Sequence, residues 1–172
     1  ESVAAVRALN RELVGWIDRR VDRRRLQHGG QDELFFDDTQ LEVYGKQFEG
    51  ARLNYHGDLA LSWQTLWWGP LLADAVLDSP GDCSDQLPGL LAANRALWRG
   101  RRVHLYADSG SSAGQYLEAI AQEGARAQAA QWQYTVSYNK WTGPLERQAQ
   151  ALPAWAWSRS GGEECAWLRH QP

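Results

Sequence analysis

Two stretches of this chain end apolar, β-type runs on carboxylates. The first is Leu34-Phe35-Phe36-Asp37-Asp38-Thr39, and the second is Arg102-Val103-His104-Leu105-Tyr106-Ala107-Asp108-Ser109-Gly110. A carboxylate on a buried strand is costly unless a cation neutralises it, and a divalent metal is a common remedy. Two acid-tipped strands therefore point to metal-dependent phosphodiester chemistry. Strand parity divides the acidic pair. Asp37 shares a side with Phe35, Thr39, Leu41 and Val43, the apolar side; Asp38 shares the wetter side with Gln40 and Glu42, although Leu34 and Phe36 lie there too. Two readings of Asp37 stand open here, a metal ligand or a structural acceptor of backbone or arginine hydrogen bonds. Asp108 stands where a strand turns into a helix, the edge at which open α/β sheets collect ligands. Its plainer reading is an acid favoured by a helix dipole.

Other chemistries fit less well. The run Phe36-Asp37-Asp38-Thr39 has the look of an acid-x-acid-x-Thr phosphatase loop, but Phe35 occupies the position of the nucleophile. Cys83, Cys165 and the histidines at 28, 56, 104 and 170 show no paired zinc-ligand spacing. Ser109-Gly110-Ser111 lacks the flanking glycine of a nucleophile elbow and reads as a turn.

The elements that must position the acids follow from periodicity. Val6, Leu9, Leu13, Ile17 and Val21 predict an amphipathic helix over 3–25, its arginines mostly off the apolar stripe, stopped by His28-Gly29-Gly30. Strands are expected over 33–44, 51–56, 60–68 and 71–78, an antiparallel meander. Ser84 is the expected N-cap of a helix with Leu87, Leu90, Leu91 and Leu97, closed by Gly100. After the strand 102–107, Ser112 and Gln115 have capping-box spacing for a helix that Gly124 stops. Trp132, Tyr134, Val136 and Tyr138 alternate as a fifth core strand, so a parallel β-α-β-α-β segment joins the antiparallel part. Residues 154–159 and 164–169 alternate around Ser160-Gly161-Gly162 as a hairpin.

Composition sets the bounds. With 172 residues, 44% hydrophobic and 23% charged, the chain reads as one ordinary globular domain. No apolar run approaches the roughly 18 residues that cross a bilayer, and two cysteines are too few for a disulfide framework, which favours the cytoplasm. The start at Glu1 and the absence of methionine read as a piece of a longer protein. A net charge of −3 argues against a dedicated nucleic-acid module. Arg19, Arg20, Arg23, Arg24 and Arg25 nevertheless cluster, as do Arg99, Arg101 and Arg102; the bland reading is a solvated helix face. Most of the ten tryptophans are expected in the core, with Trp67-Trp68 and Trp141, Trp155, Trp157 and Trp167 also suited to an interface.

Four segments resemble the DDE transposases of bacterial insertion sequences, in the ribonuclease-H-like, retroviral-integrase superfamily. They are Phe36-Asp37-Asp38-Thr39 with Glu42-Val43-Tyr44-Gly45-Lys46-Gln47; Gly50-Ala51 with Tyr55-His56-Gly57; Leu71-Leu72 through Leu77 with Pro80-Gly81-Asp82; and Tyr106-Ala107-Asp108-Ser109-Gly110. In order they cover about residues 33–140. The resemblance implies a ribonuclease-H-like α/β fold: a mixed five-stranded sheet flanked by helices, with an N-terminal helical segment (1–30), a catalytic core (31–140) and a Trp-rich β extension (141–172). It places the first acid at Asp37 and the second at Asp108, both binding Mg²⁺ (or Mn²⁺) for cleavage and strand transfer at transposon ends, with Asp38 and Thr39 as supporting groups. The implied third acid, a glutamate on a helix after the fifth strand, has no counterpart in its expected setting, since Glu146 is proline-flanked and Glu163 and Glu164 adjoin a Gly-Gly turn. DNA is the implied partner, touched by Arg19, Arg20, Arg23, Arg24, Arg101 and Arg102, in a bacterial, nucleoid-associated setting, with a homodimer as a further expectation and no membrane. The rival expectation is a truncated or domesticated transposase fragment without catalysis, acting as an interaction domain.

Overall fold

Alternating burial along residues 31–42 creates the strand on which the rest of the sheet is hung. The computed structural model describes residues 3–22, 24, 26–44, 48–54, 56–78, 85–112, 114–137, 143–160 and 163–166. The chain divides into two compact units, Glu1–Ser137 and Tyr138–Pro172. Among the described residues it is mixed α/β, with four α-helices and an open mixed sheet of seven strands.

The first unit runs α1 (Val3–Asp18), β1 (Gln27–His28), β2 (Gln31–Glu42), β3 (Arg52–Leu53), β4 (Leu59–Trp68), β5 (Leu71–Asp78), α2 (Leu87–Ala93), β6 (Arg102–Ala107), α3 (Gly114–Arg126) and β7 (Gln131–Val136). β2 lies at the centre, antiparallel to β4 and parallel to β6, and β7 extends the sheet parallel to β6. β4 pairs antiparallel with β3 at its start and with β5 along the rest, so the five longer strands lie in the order β5-β4-β2-β6-β7. β1, which was not expected, and β3, which stands within the expected strand 51–56, are two residues each. β1 returns into β2 through Gly29-Gly30, both at positive φ (56° and 79°), the conformation a two-residue hairpin loop demands.

One face of the sheet holds the core. Leu34, Phe36, Leu66, Trp68, Val103 and Leu105 pack there against Leu87, Leu90, Leu91, Trp98 and Ile120 from α2, the segment after it and α3. α3 starts at Gly114, after a 3-10 turn at Ser109–Ser112, rather than at an Ser112 cap. Gly124 lies inside α3 and does not stop it: a Cβ there would meet Trp132 Cβ and Cγ at 2.5 Å, so the glycine lets the helix sit down on β7. Ser84 and Tyr138 lie outside the described residues.

α1 ends at Asp18, earlier than the expected 25, and it is turned over. Arg7, Asn10 and Arg11 face β5, while Val6, Leu9 and Leu13 of the expected core stripe are exposed, as is Trp16; Ile17 and Val21 of that stripe are half-buried, Val21 against the core. The cause is hydrogen-bond demand. A register shift at Leu66/Trp67 leaves the Leu72 and Ala73 carbonyls to Asn10 Nδ2, which donates at 3.1 and 3.0 Å. Asp74, its side chain 1% exposed, needs the cations of Arg7 and Arg11 at 2.8 and 3.2 Å. Leaving such groups unpaired costs more than exposing a few aliphatic side chains.

The second unit carries α4 (Gly143–Gln150), a 3-10 turn (Ala154–Ala156) and an antiparallel hairpin of β8 (Trp157–Ser160) and β9 (Glu163–Ala166). The expected hairpin is present with shorter arms; the part expected at 167–169 lies outside the described residues. Trp155 is exposed. No helix among the described residues is long and apolar enough to cross a membrane.

Candidate functional site

The acids expected to do chemistry lie on one central strand and at the end of its neighbour. Asp37 lies in mid-β2 opposite Thr65 of β4. On the other side β2 pairs in parallel with β6 as far as Phe36↔Ala107, the last residue of β6; Asp108 follows it and leads into the 3-10 turn at Ser109–Ser112. The Phe35 and Tyr106 rings stack at 5.2 Å, which fixes Tyr106 on the face of Phe35 and Asp37.

That face is the exposed one, which corrects the parity reading. Asp32, Leu34 and Phe36 are buried and Asp38 is half-buried, whereas Phe35, Asp37 and Thr39 are exposed. Both faces of β2 carry apolar residues, so counting them cannot choose between the faces; α2 and α3 choose, by covering the even-numbered one. Asp37 therefore has no need of a cation merely to be tolerated in its strand.

Local bonds hold each carboxylate by one oxygen. The Thr39 hydroxyl donates to Asp37 Oδ2 at 3.2 Å, and the Gly110 backbone N–H donates to Asp108 Oδ1 at 3.0 Å. The second bond is a side-chain turn of the kind aspartate makes at the end of a strand. Asp38 points to the opposite face, where the Ser62 hydroxyl donates to its Oδ1 at 2.5 Å. On that side Gln64 donates to Asp85 at 2.7 Å, so Asp38 belongs to a polar cluster under the sheet and is separated from Asp37 by it.

Two residues of β6 that the sequence did not group with the acids stack on one another. His104 stacks on Tyr106 with ring centroids 4.2 Å apart, and His104 Nε2 lies 2.8 Å from Thr135 Oγ1. Tyr106 donates to Glu33 Oε1 at 3.5 Å; burial, then the Glu33 charge and this bond, raise the phenol above its ordinary range. Alternation along 102–108 was the signal that could have grouped His104 and Tyr106 with Asp108. Among the described residues no group of three or more His, Cys, Asp or Glu is gathered as a metal cage. The site is a carboxylate pair.

The expected DNA-contacting arginines divide. Arg101 is 9% exposed: its Nη2 donates to Asp18 Oδ2 at 2.5 Å, its Nη1 is 4.0 Å from Asp32 Oδ2, and its guanidinium lies 4.9 Å from the Trp68 ring. It neutralises buried acids, and these contacts turn it inward while its neighbour stays out. Arg102 is exposed and donates to Gln131 at 2.9 Å. Arg19, Arg20 and Arg24 are exposed, with Arg20 over the Trp16 ring at 4.4 Å. Arg23 lies outside the described residues. Glu146 is helical, in the first turn of α4, where it accepts from Gln150 at 3.3 Å. Pro144, which flanks it, is the second residue of α4, in the first turn where proline is tolerated.

No protein-family model matches this chain, and no curated protein matches it.

Proposed function

We propose that the first unit is a ribonuclease-H-like catalytic core of the DDE-transposase type, acting on DNA by metal-dependent cleavage and strand transfer at transposon ends. The observation that carries this reading is the register of β2 and β6, whose last pair, Phe36↔Ala107, immediately precedes Asp37 in the one strand and Asp108 beyond the other. The strand order supports it: numbering the five longer strands along the chain gives 3-2-1-4-5, with the acids on the first and fourth. The donor chemistry fits Mg²⁺ or Mn²⁺, since each carboxylate keeps one oxygen unpartnered among the described residues and hard cations prefer few carboxylates plus water or phosphate oxygens. When bound, such ions activate the attacking hydroxyl or water and stabilise the leaving oxygen. Asp37 and Asp108 hold and orient, and Thr39 and the Gly110 N–H fix their rotamers.

Mn²⁺ calorimetry on the protein and on Asp37→Asn and Asp108→Asn tests the metal assignment; each substitution is expected to weaken binding at least about 10-fold. Absence of binding, or binding indifferent to both substitutions, removes it. Cleavage or strand transfer on DNA carrying transposon ends tests the reaction. A second reading, a transposase-derived domain that serves only as an interaction module, is favoured by the withdrawal of Arg101 into ion pairs. Metal-dependent cleavage lost in Asp37→Asn would exclude it.

A further inference from the structure

Three rings stand in one stack on the open face of the sheet. Tyr106 lies between the other two: the Phe35 ring is 5.2 Å away with 14° between the planes, and the His104 ring 4.2 Å away with 10°. Phe35 and His104 are therefore the ends of the stack. Phe35 is 39% exposed, and Trp67 of β4 stands directly opposite it in the register. The ring edges carry polar partners, with His104 Nε2 at 2.8 Å from Thr135 Oγ1 and the Tyr106 hydroxyl donating to Glu33 Oε1 at 3.5 Å. The stack also adjoins the carboxylate site. Asp37 follows Phe35 by two residues on the same strand and the same exposed face, a separation of about 7 Å.

What such a surface receives is limited by charge and shape. Glu33 and Asp37 flank the rings on β2, so a phosphate laid on the stack is repelled, whereas an uncharged planar ring extends it. In a duplex the bases are stacked on one another and show only their edges, so a stack of side-chain rings reaches unpaired bases alone. We propose that the Phe35–Tyr106–His104 stack receives an unpaired base next to the phosphodiester held at the carboxylate site, which makes the substrate a DNA strand that is single-stranded at the reacting position. This rests on the reading of the first unit as a DNA-processing core. The base supplies position: stacked at Phe35, it holds the neighbouring phosphate within reach of Asp37, and paired DNA gains nothing from the rings.

The test is binding to the whole chain in EDTA, where no metal-dependent step runs. The probes are a short oligothymidylate, the same strand paired with oligoadenylate, and an abasic strand of equal length. The single strand is expected to bind at least about 10-fold more tightly than either of the others. Phe35→Leu and Tyr106→Leu should each lose about 10-fold on oligothymidylate, keep the slope of affinity against salt, and leave binding to the abasic strand unchanged. A 2-aminopurine placed in the strand should lose fluorescence on binding the native protein and keep it with Phe35→Leu. Equal affinity for the abasic strand or the duplex overturns the proposal, as does indifference to both substitutions or a loss that falls equally on the abasic strand. Binding of a hexa-arginine peptide that depends on Phe35 overturns it too, since the carboxylates would then be drawing a cation to the rings. The two readings fail separately. Mn²⁺ binding indifferent to Asp37→Asn, with the quenching intact, removes the metal assignment and leaves the base site; normal Mn²⁺ binding without quenching removes the base site alone.

Discussion

Replacing Asp74 with asparagine removes one negative charge from a point where five donors converge. Arg7 gives two bonds at 2.8 and 2.9 Å, Arg11 one at 3.2 Å, Asn94 one at 3.1 Å and the Ala75 N–H one at 2.9 Å. Breaking a buried ion pair from one side costs about 3–5 kcal/mol. Arg7 and Arg11 are 29 and 31% exposed and can rehydrate, which brings their share down to about 2 kcal/mol. Asn94 is buried, and its donor would face an amide group, adding about 1 kcal/mol. The expected loss is about 3 kcal/mol at neutral pH. The pH dependence gives the sign. Burial pushes the Asp74 carboxyl up, but the bonds from Arg7 and Asn94, the Arg7 charge and the Ala75 N–H outweigh it and hold the group below the usual carboxylate range. Its stabilisation is therefore complete above the unfolded value of about 3.9 and is lost as pH falls through the lower folded value. Urea unfolding of both proteins, followed by tryptophan fluorescence, should show a gap that is flat from about pH 5 to 8 and narrows below about pH 4. A gap under about 0.5 kcal/mol at pH 7, or one equally wide at pH 3, would refute the reasoning.

Two further substitutions probe the frame around the site. Gly124→Ala adds a Cβ 2.5 Å from Trp132; overpacking of about 1–3 kcal/mol exceeds the ~1 kcal/mol gained in helix propensity, so the thermal midpoint should fall, and a rise would refute the close approach. Arg101→Ala should cost about 3–5 kcal/mol by removing the cation beside Asp18 and Asp32, whereas Arg102→Ala should stay within about 0.5 kcal/mol; equal effects in a chemical melt would contradict the burial of Arg101.

The strands were legible because a period of two survives any packing. The expected 60–68, 71–78 and 102–107 correspond to β4 (Leu59–Trp68), β5 and β6 almost residue for residue. Which way an amphipathic element turns is a different kind of question. In α1 the spacing of Val6, Leu9 and Leu13 identifies the apolar side correctly, but the orientation is decided by Asp74 and two carbonyls sixty residues away in the chain, to which only the polar side can answer. Arg101 was misjudged for the same reason. A basic neighbour at Arg102 makes the pair look like a surface patch, and the acids that claim Arg101 come from α1 and β2.

The candidate site shows how the premise behind a residue can fail while the residue stays a candidate. Asp37 was singled out as a carboxylate on an apolar face that needed a cation. In the structure it faces outward, so burial no longer argues for a metal, and Asp32, which is fully buried, carries its penalty through Trp68 and Arg101 instead. What remains is juxtaposition. Solvated carboxylates repel one another at short range, and the local bonds explain each aspartate singly: Asp108 by its turn with the Gly110 N–H, Asp37 by its bond from Thr39. What they leave unexplained is that both acids directly follow the last residue pair of β2 and β6. The proposed chemistry therefore rests on the register that ends at Phe36↔Ala107, and a slip of one residue there would dissolve the correspondence.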